Sequence, residues 1–69
     1  MNKLYLNKIP ILEYMYKNDL TVTEFCDISD IDYRTFNNYI YGEKPIQVKV
    51  LFKFARILDI ALEELIMIK

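Results

Sequence analysis

The chemistry of this sequence is concentrated in a short polar stretch at residues 32–42, which reads DYRTFNNYIYG. Arg34 carries a forked guanidinium group, which can pair bidentately with guanine O6 and N7. Asn37 or Asn38 carries an amide, which can pair with adenine N6 and N7. Because an α-helix fits the DNA major groove, these residue types predict a base-reading row if the stretch is helical.

Four neighbouring residues could hold a nucleic-acid backbone beside this row. Tyr33 and Tyr41 can donate to phosphates or lay their rings against sugars and thymine methyl groups. The amides near Thr23 and Tyr33 lie at predicted helix starts, where the positive helix end attracts anions. Lys44 follows in a loop, where it could bind a phosphate. The candidate DNA-contacting residues are Thr23, Tyr33, Arg34, Asn37, Asn38, Tyr41 and Lys44.

Each of these residues taken alone also fits an ordinary protein surface. Arg34 could be a solvated charge, and Asn37 and Asn38 could be neutral surface positions. However, Asn and Tyr are mediocre helix formers, so helix stability alone does not favour a solvent-facing row of them. The row as a whole therefore favours recognition. Three basic residues farther along are interpreted as a solvated helix face rather than a second DNA surface: Lys49, Lys53 and Arg56.

Two short helices, at about residues 21–28 and 33–41, are predicted to position the row. Thr21 can accept from the amide of Glu24 while Glu24 reaches back to the Thr21 amide, which makes a capping box. Asp32 is a favourable N-cap for the second helix, and Gly42 can end it. Residues 21–42 therefore predict a helix-turn-helix.

The rest of the chain provides the layers against which these two helices pack. Helices are also predicted at about residues 10–18, 47–58 and 62–68, after an arm at residues 1–8 that either frays or packs on the core or on a partner subunit. The residues predicted to point inward are Ile11, Leu12, Met15, Phe25, Ile28, Ile31, Phe36, Tyr39, Val48, Leu51, Ala55 and Leu58. One Gly and two Pro favour an all-α fold without strands, a compact five-helix bundle.

Length and composition narrow the function classes. The 69 residues predict a single domain, 1–69, with a small core, and a hydrophobic fraction of 54% favours a partner chain and thus a homodimer. We expect a cytoplasmic protein because no apolar run suits a membrane span or a secretory signal. With one Cys and no His, we expect no disulfide, metal or cofactor. No small-molecule ligand is evident, and no nucleophile lies beside a base, so we expect no enzyme.

A set of landmarks over residues 11–66 resembles the Cro and phage-repressor class of helix-turn-helix domains, the XRE-like family. The landmarks are Leu20-Thr21, Glu24-Phe25-Cys26, Ile31-Asp32, Thr35-Phe36, Tyr39, Gly42, Pro45 and the tail Leu51-x-x-Phe54-Ala55-x-x-Leu58-Asp59-Ile60-x-x-x-x-Leu65. The resemblance implies a lambda-repressor-like fold and a regulator that binds double-stranded DNA. It also implies a repressor of phage or mobile-element type that binds a palindromic operator as a dimer.

Four residues depart from the pattern of that family. Val22 stands where a polar Gln commonly touches the DNA backbone. Asp30 replaces the usual turn Gly, and since Asp tolerates a left-handed backbone, the turn can persist. Ser29 occupies a usually apolar site whose packing Ile28 is expected to take over. Cys26 replaces a small Ala and is expected to be a core thiol.

The acidic balance of the chain leaves a second function class open. A formal net charge of −1 opposes phosphate binding, whereas six tyrosines and apolar ends would suit an adaptor, antirepressor or inhibitor that binds another protein. For the repressor, dimerisation is predicted to use the last helix, with the arm as a second contributor. The candidate dimerisation residues are Leu62, Leu65, Ile66, Met67 and Ile68.

Overall fold

A computed structural model describes residues 3–68 of the chain. Within them four α-helices follow a short strand: β1 (Leu4–Leu6), α1 (Ile9–Lys17), α2 (Val22–Ser29), α3 (Tyr33–Ile40) and α4 (Val48–Leu58). A 3-10 helix (Leu62–Leu65) and a second strand, β2 (Ile66–Ile68), complete the described part. The four predicted α-helices before residue 60 are confirmed, with ends that shift by at most one residue.

The predicted fifth helix, and with it the five-helix, strand-free bundle, is wrong. Only Leu62–Leu65 is helical, as a 3-10 turn, and β2 then pairs antiparallel with β1. Two β-branched isoleucines in three residues favour an extended backbone there. The pairing partner lies at the other end of the chain, so local periodicity at residues 62–68 contains no sign of it.

Leu4–Leu6 of the predicted arm form one strand of this sheet. Leu4 pairs with Ile68 and Leu6 with Ile66, and Leu6 is buried in the core. Beyond the strand, the Asn7 amide donates to the Leu65 carbonyl at 2.8 Å. On the other side of β1, the Ile46 amide donates to the Leu4 carbonyl at 2.9 Å. Of the two alternatives for residues 1–8, fraying or packing, the described residues of the arm therefore show packing.

Three phenylalanines, one from each of α2, α3 and α4, form the centre of the core. The ring centroids of Phe25 and Phe36 are 5.5 Å apart, those of Phe25 and Phe54 are 5.7 Å apart, and those of Phe36 and Phe54 are 6.4 Å apart. All three side chains are fully buried. Such tilted and edge-on contacts add to the free energy that burial itself contributes. The remaining buried side chains around them include Ile11, Met15, Leu51 and Leu65.

The predicted inward face of α2 is wrong by one position. Ile28 is 51% exposed, and Ser29 is buried in its place. The buried residues of α2 are Phe25, Cys26 and Ser29, and a stripe centred on these three leaves Ile28 to the side. The Ser29 hydroxyl donates to the Phe25 carbonyl at 2.8 Å, which satisfies a polar group that burial would otherwise penalise.

The predicted inward faces of α4 and α1 also need correction. Val48 is 49% exposed, while Val50 and Phe54 are buried beside Leu51. These three buried residues set the helix phase, which leaves Val48 on the outside. In α1, Leu12 is exposed while Ile11 and Met15, spaced by four, are buried.

Side-chain caps start α2 and α3 as predicted. The Glu24 amide donates to Thr21 Oγ1 at 3.1 Å, and the Thr21 amide donates to Glu24 Oε1 at 2.8 Å. At α3, the Thr35 amide donates to Asp32 Oδ2 at 3.1 Å and the Thr35 hydroxyl donates to Oδ1 at 2.6 Å. The Thr21 amide lowers the pKa of Glu24, and the Thr35 hydroxyl, followed by its amide, lowers the pKa of Asp32.

These caps predict acid sensitivity. Because the folded pKa values of Glu24 and Asp32 lie below the unfolded ones, both carboxylates stabilise the fold above about pH 4.5, and this is lost as pH falls through the folded values. Asp32→Asn retains a cap acceptor but cannot titrate. We expect its thermal midpoint to fall less than that of the wild type between about pH 5 and pH 3.

The matched control is Asp59→Asn. Asp59 is exposed and its side chain makes no hydrogen bond to a described residue, so this variant should keep the wild-type pH dependence. Thermal unfolding followed by circular dichroism across the pH series provides the comparison. Parallel curves for wild type and Asp32→Asn would show that the cap contributes nothing to acid unfolding.

Candidate nucleic-acid interface

The outward side of α3 presents one continuous polar row. Arg34, Asn37, Asn38 and Tyr41 are spaced i, i+3, i+4 and i+7, so they lie along one face. Arg34 and Tyr41 are exposed, and the two asparagines are half-buried. Seven helical steps extend about 10 Å, which is roughly three base-pair steps along a duplex. The row therefore has the length and the functional groups of a short base-reading surface.

The opposite side of α3 fixes the direction of this row. Phe36 and Tyr39 are buried, as predicted, and face the other helices. Tyr33 lies to one side of the outward row and is exposed, so it flanks the row rather than continuing it. A helix of eight residues has little stability of its own, so its orientation depends on this buried face.

The turn between α2 and α3 is short and regular. Asp30 has a left-handed backbone, with φ 57° and ψ 45°, and its amide donates to the Asp27 and Cys26 carbonyls. The Ile31 amide also donates to the Cys26 carbonyl, at 3.0 Å, and the Ile31 side chain packs against the core. The predictions that Asp can hold the turn and that Ile31 plugs it are confirmed.

The starts of both helices already hold a negative charge. The Glu24 and Asp32 carboxylates occupy the positive ends of α2 and α3. Thr23 and Tyr33, whose amides were candidate phosphate donors, lie beside them and are exposed. A phosphate at either start meets a carboxylate that has already satisfied part of the helix end. These two contacts are therefore weaker than an uncharged cap would allow.

Lys44 is exposed in the loop after α3. Gly42 turns the chain there with φ 69°, and the Glu43 amide donates to the Asn38 carbonyl at 3.0 Å. The other end of the loop is held by Ile46, which is buried and bonded to β1. Arg34 near the start of the row and Lys44 just beyond its end thus supply positive charge at both ends.

The half-buried side chain of Val22 packs against the core. It has no hydrogen-bonding side-chain atom, so the side-chain contact to a DNA backbone that a Gln could make at this position is absent here. Contacts to the DNA backbone must therefore come from residues with polar or charged side chains.

The predicted dimerisation residues have different environments. Leu65 is fully buried in the core of its own chain, and Leu62 and Ile66 are half-buried against that core. Met67 is 44% exposed on β2, and Ile68 pairs with Leu4 through the backbone. Of the four described side chains, Met67 therefore offers the most apolar surface to another chain. The interface itself stays a prediction.

A surface groove of about 360 Å³, which sequence reasoning missed, lies between the end of α3 and the sheet. It is lined by Tyr41 and Met67 together with Leu6, Asn7, Lys8, Ile9, Ile40 and Gly42. Segments from three distant parts of the sequence form it, so no local motif could reveal it. The groove brings a candidate DNA contact, Tyr41, next to a candidate dimer contact, Met67.

Residues 3–68 were also compared with the requirements of a metal site, a reactive thiol and a membrane span. No group of three or more Cys, Asp or Glu side chains there is arranged to hold a metal ion. Cys26 is a buried thiol, as predicted, and burial, followed by the Asp27 charge, raises its pKa. A raised pKa disfavours the reactive thiolate. In the same residues no helix has both the length and the apolar character needed to cross a bilayer.

Comparison with known proteins identifies the family. A family model described as a Cro/C1-type HTH DNA-binding domain matches residues 11–69. Comparisons with curated proteins and with solved structures give no match. The matched span includes α1 except its first two residues, all of α2 to α4, and therefore the whole unit of α2, turn and α3. Landmark residues, helix order and family model agree, and the chain belongs to the Cro/C1-type helix-turn-helix DNA-binding family.

Proposed function

We propose that this DNA-binding regulator is a cytoplasmic transcriptional repressor of phage or mobile-element type, which binds a palindromic operator as a dimer. The observation that carries the proposal is the outward row of α3. It combines one guanidinium, two amides and a phenol on a helix that is otherwise held by its buried face. Fold membership alone would not support base reading, whereas this set of donors and acceptors does.

The row assigns a chemical role to each side chain. Arg34 pairs with a guanine, and Asn37 or Asn38 pairs with an adenine, at positions within about three base pairs of each other. Tyr41 and Lys44 follow at the end of α3 and contact phosphates, which fix the position of the helix in the groove. Each bidentate pair discriminates against a wrong base by about 1–3 kcal/mol.

Charge makes this repressor depend on specific contacts. Arg34 and Lys44 are the cations of the candidate surface, and carboxylates lie at both helix starts. Since non-specific affinity comes from neutralised phosphates, binding to random DNA should be weak and its salt dependence shallow. Discrimination then comes from base pairing by Arg34 and the asparagines.

A dimer would place two recognition helices in successive grooves. Its two-fold axis would set the half-sites about one helical turn, roughly 34 Å, apart, and repression would follow from occupancy of the operator. Support for self-association comes from Met67, which is exposed, and from β2, whose outer edge pairs with no described strand. The segment predicted to dimerise as a helix would thus do so as a strand.

Selection of bound DNA from a random pool at low salt tests this function. Recovery of a palindrome supports the dimeric repressor. A single unrepeated half-site would contradict the dimer but retain base reading. No enrichment would contradict sequence-specific binding and favour the alternative, a helix-turn-helix scaffold that binds another protein.

Arg34→Ala is expected to weaken binding to the selected site by about 1–3 kcal/mol and to relax the preference at one base position. The reason is the loss of the bidentate pair on α3. Titration of the selected duplex, followed by fluorescence anisotropy, measures the change.

Lys17→Ala is the matched control for Arg34→Ala. It removes a positive charge from the exposed end of α1, outside every surface proposed to bind DNA or another copy, and should leave affinity for the selected site nearly unchanged. Equal losses from the two variants would mean that overall charge, rather than base reading, sets the affinity.

Met67→Asp is expected to weaken the proposed dimer because it places a charge on its apolar surface. Sedimentation at about 0.5 M salt, where exposed charge pairs are largely screened, measures the effect. Tyr16→Asp is the control, since Tyr16 is the most exposed apolar side chain of α1. If Met67→Asp sediments as the wild type does, the interface lies elsewhere.

A further inference from the structure

The charges of the chain are segregated by helix. Residues 18–33 contain five acidic residues and no basic one: Asp19, Glu24, Asp27, Asp30 and Asp32. Residues 44–58 contain four basic residues and no acidic one: Lys44, Lys49, Lys53 and Arg56. The first block covers α2 and the second covers α4. A chain with a net charge of only −1 thus has two helices of opposite charge.

The outward side of α4 combines its charge with apolar surface. Lys49, Lys53 and Arg56 are spaced i, i+4 and i+7 and are all exposed, and none makes an ion pair with a described residue. Phe52 is 55% exposed and Val48 is 49% exposed, four residues apart beside the basic row. We call these five residues the α4 face.

The outward side of α2 has the complementary pattern. Glu24 and Asp27 are exposed and spaced by three, and Ile28, also exposed, follows Glu24 by four. Asp30 is exposed at the end of the helix. Glu24 is used in the capping box, whereas the Asp27 and Asp30 side chains have no partner among the described residues. We call Glu24, Asp27, Ile28 and Asp30 the α2 face.

The α4 face selects its partner by charge. Two copies of α4 packed on each other would bring three cations against three, which costs free energy. An α2 face instead brings carboxylates to the cations and a half-exposed isoleucine to Phe52 and Val48. The charged rows are also similar in length: seven helical steps, about 10 Å, separate Lys49 from Arg56, and the α2 row runs from Glu24 to Asp30, one residue past the end of the helix.

We infer that the α4 face of one copy is a docking site for the α2 face of a second copy of this chain. The contact joins different surfaces on the two copies, so it is heterologous and can link successive subunits. It requires neither DNA nor the proposed contact through Met67, and it therefore stands apart from the repressor proposal.

A charge exchange tests the contact. Asp27→Lys changes the α2 face of one variant, and Lys53→Glu changes the α4 face of another. In a sample of either variant alone, every α2 to α4 contact would bring like charges at positions 27 and 53 against each other. Mixing them creates two attractive combinations: the unchanged α2 face on the unchanged α4 face, and Lys at position 27 against Glu at position 53. Lys17→Glu, on an exposed residue outside both faces and away from the groove beside Met67, is the control.

Sedimentation of each sample without DNA at low salt provides the readout. We expect wild type and Lys17→Glu to self-associate, each exchange variant alone to do so about tenfold more weakly, and the equimolar mixture to recover. Added salt should dissociate the wild-type assembly. Recovery by mixing cannot arise from a folding defect, and if Lys53→Glu fails to fold, Arg56→Glu takes its place.

Three results would overturn the inference. The first is wild-type protein that shows no salt-sensitive association, and the second is a mixture that associates no more strongly than its separate components. The third is a Lys53→Glu variant that retains wild-type association but loses affinity for DNA, which would make the α4 face a phosphate-binding surface. The failure of the repressor proposal would appear separately, as the absence of enrichment in the DNA selection.

Discussion

The contact among Phe25, Phe36 and Phe54 is the constraint on which the rest of this structure depends. It joins α2, α3 and α4 at ring distances of 5.5 to 6.4 Å, and no helix among them is longer than eleven residues. Helices this short are marginal in isolation, so tertiary packing must set their orientation. Once Phe36 is fixed, Arg34 and Tyr41 can only face outward. The polar row of α3 therefore faces outward because of an apolar contact on the opposite side of the helix.

Features encoded within a few residues were predictable, and features that join distant segments were not. The Thr21 and Asp32 caps, the Asp30 turn and the Gly42 stop each depend on local backbone chemistry and were read correctly. In α4, Val48 and Val50 compete for one face, and in α2 the polar Ser29 is buried instead of Ile28; periodicity alone does not decide between such neighbours. The β1 to β2 pairing was missed because it joins residues sixty or more positions apart. Whether the α3 row reads DNA bases depends on a partner, which composition and spacing can only suggest.

The acidic caps impose a compromise between helix formation and anion binding. A carboxylate at a helix start stabilises that helix, especially a helix of eight residues with little other support. The same carboxylate repels a phosphate that approaches the same helix end. In this chain the compromise favours folding at both α2 and α3, and Val22 removes a further backbone contact. A surface with so little phosphate affinity must gain its free energy of binding from base edges or from the linkage of several subunits.

The sheet connects the candidate DNA contacts with the candidate dimer contacts. The Leu4 carbonyl holds the loop that carries Lys44, through Ile46, while the opposite edge of β1 holds β2 and therefore Met67. The groove at the end of α3 then places Met67 next to Tyr41. A chain that contacts Met67 would thus touch the same small unit that positions the end of the recognition helix. Self-association at this surface would order Tyr41 and Lys44 before DNA arrives, which reduces the entropy lost on binding.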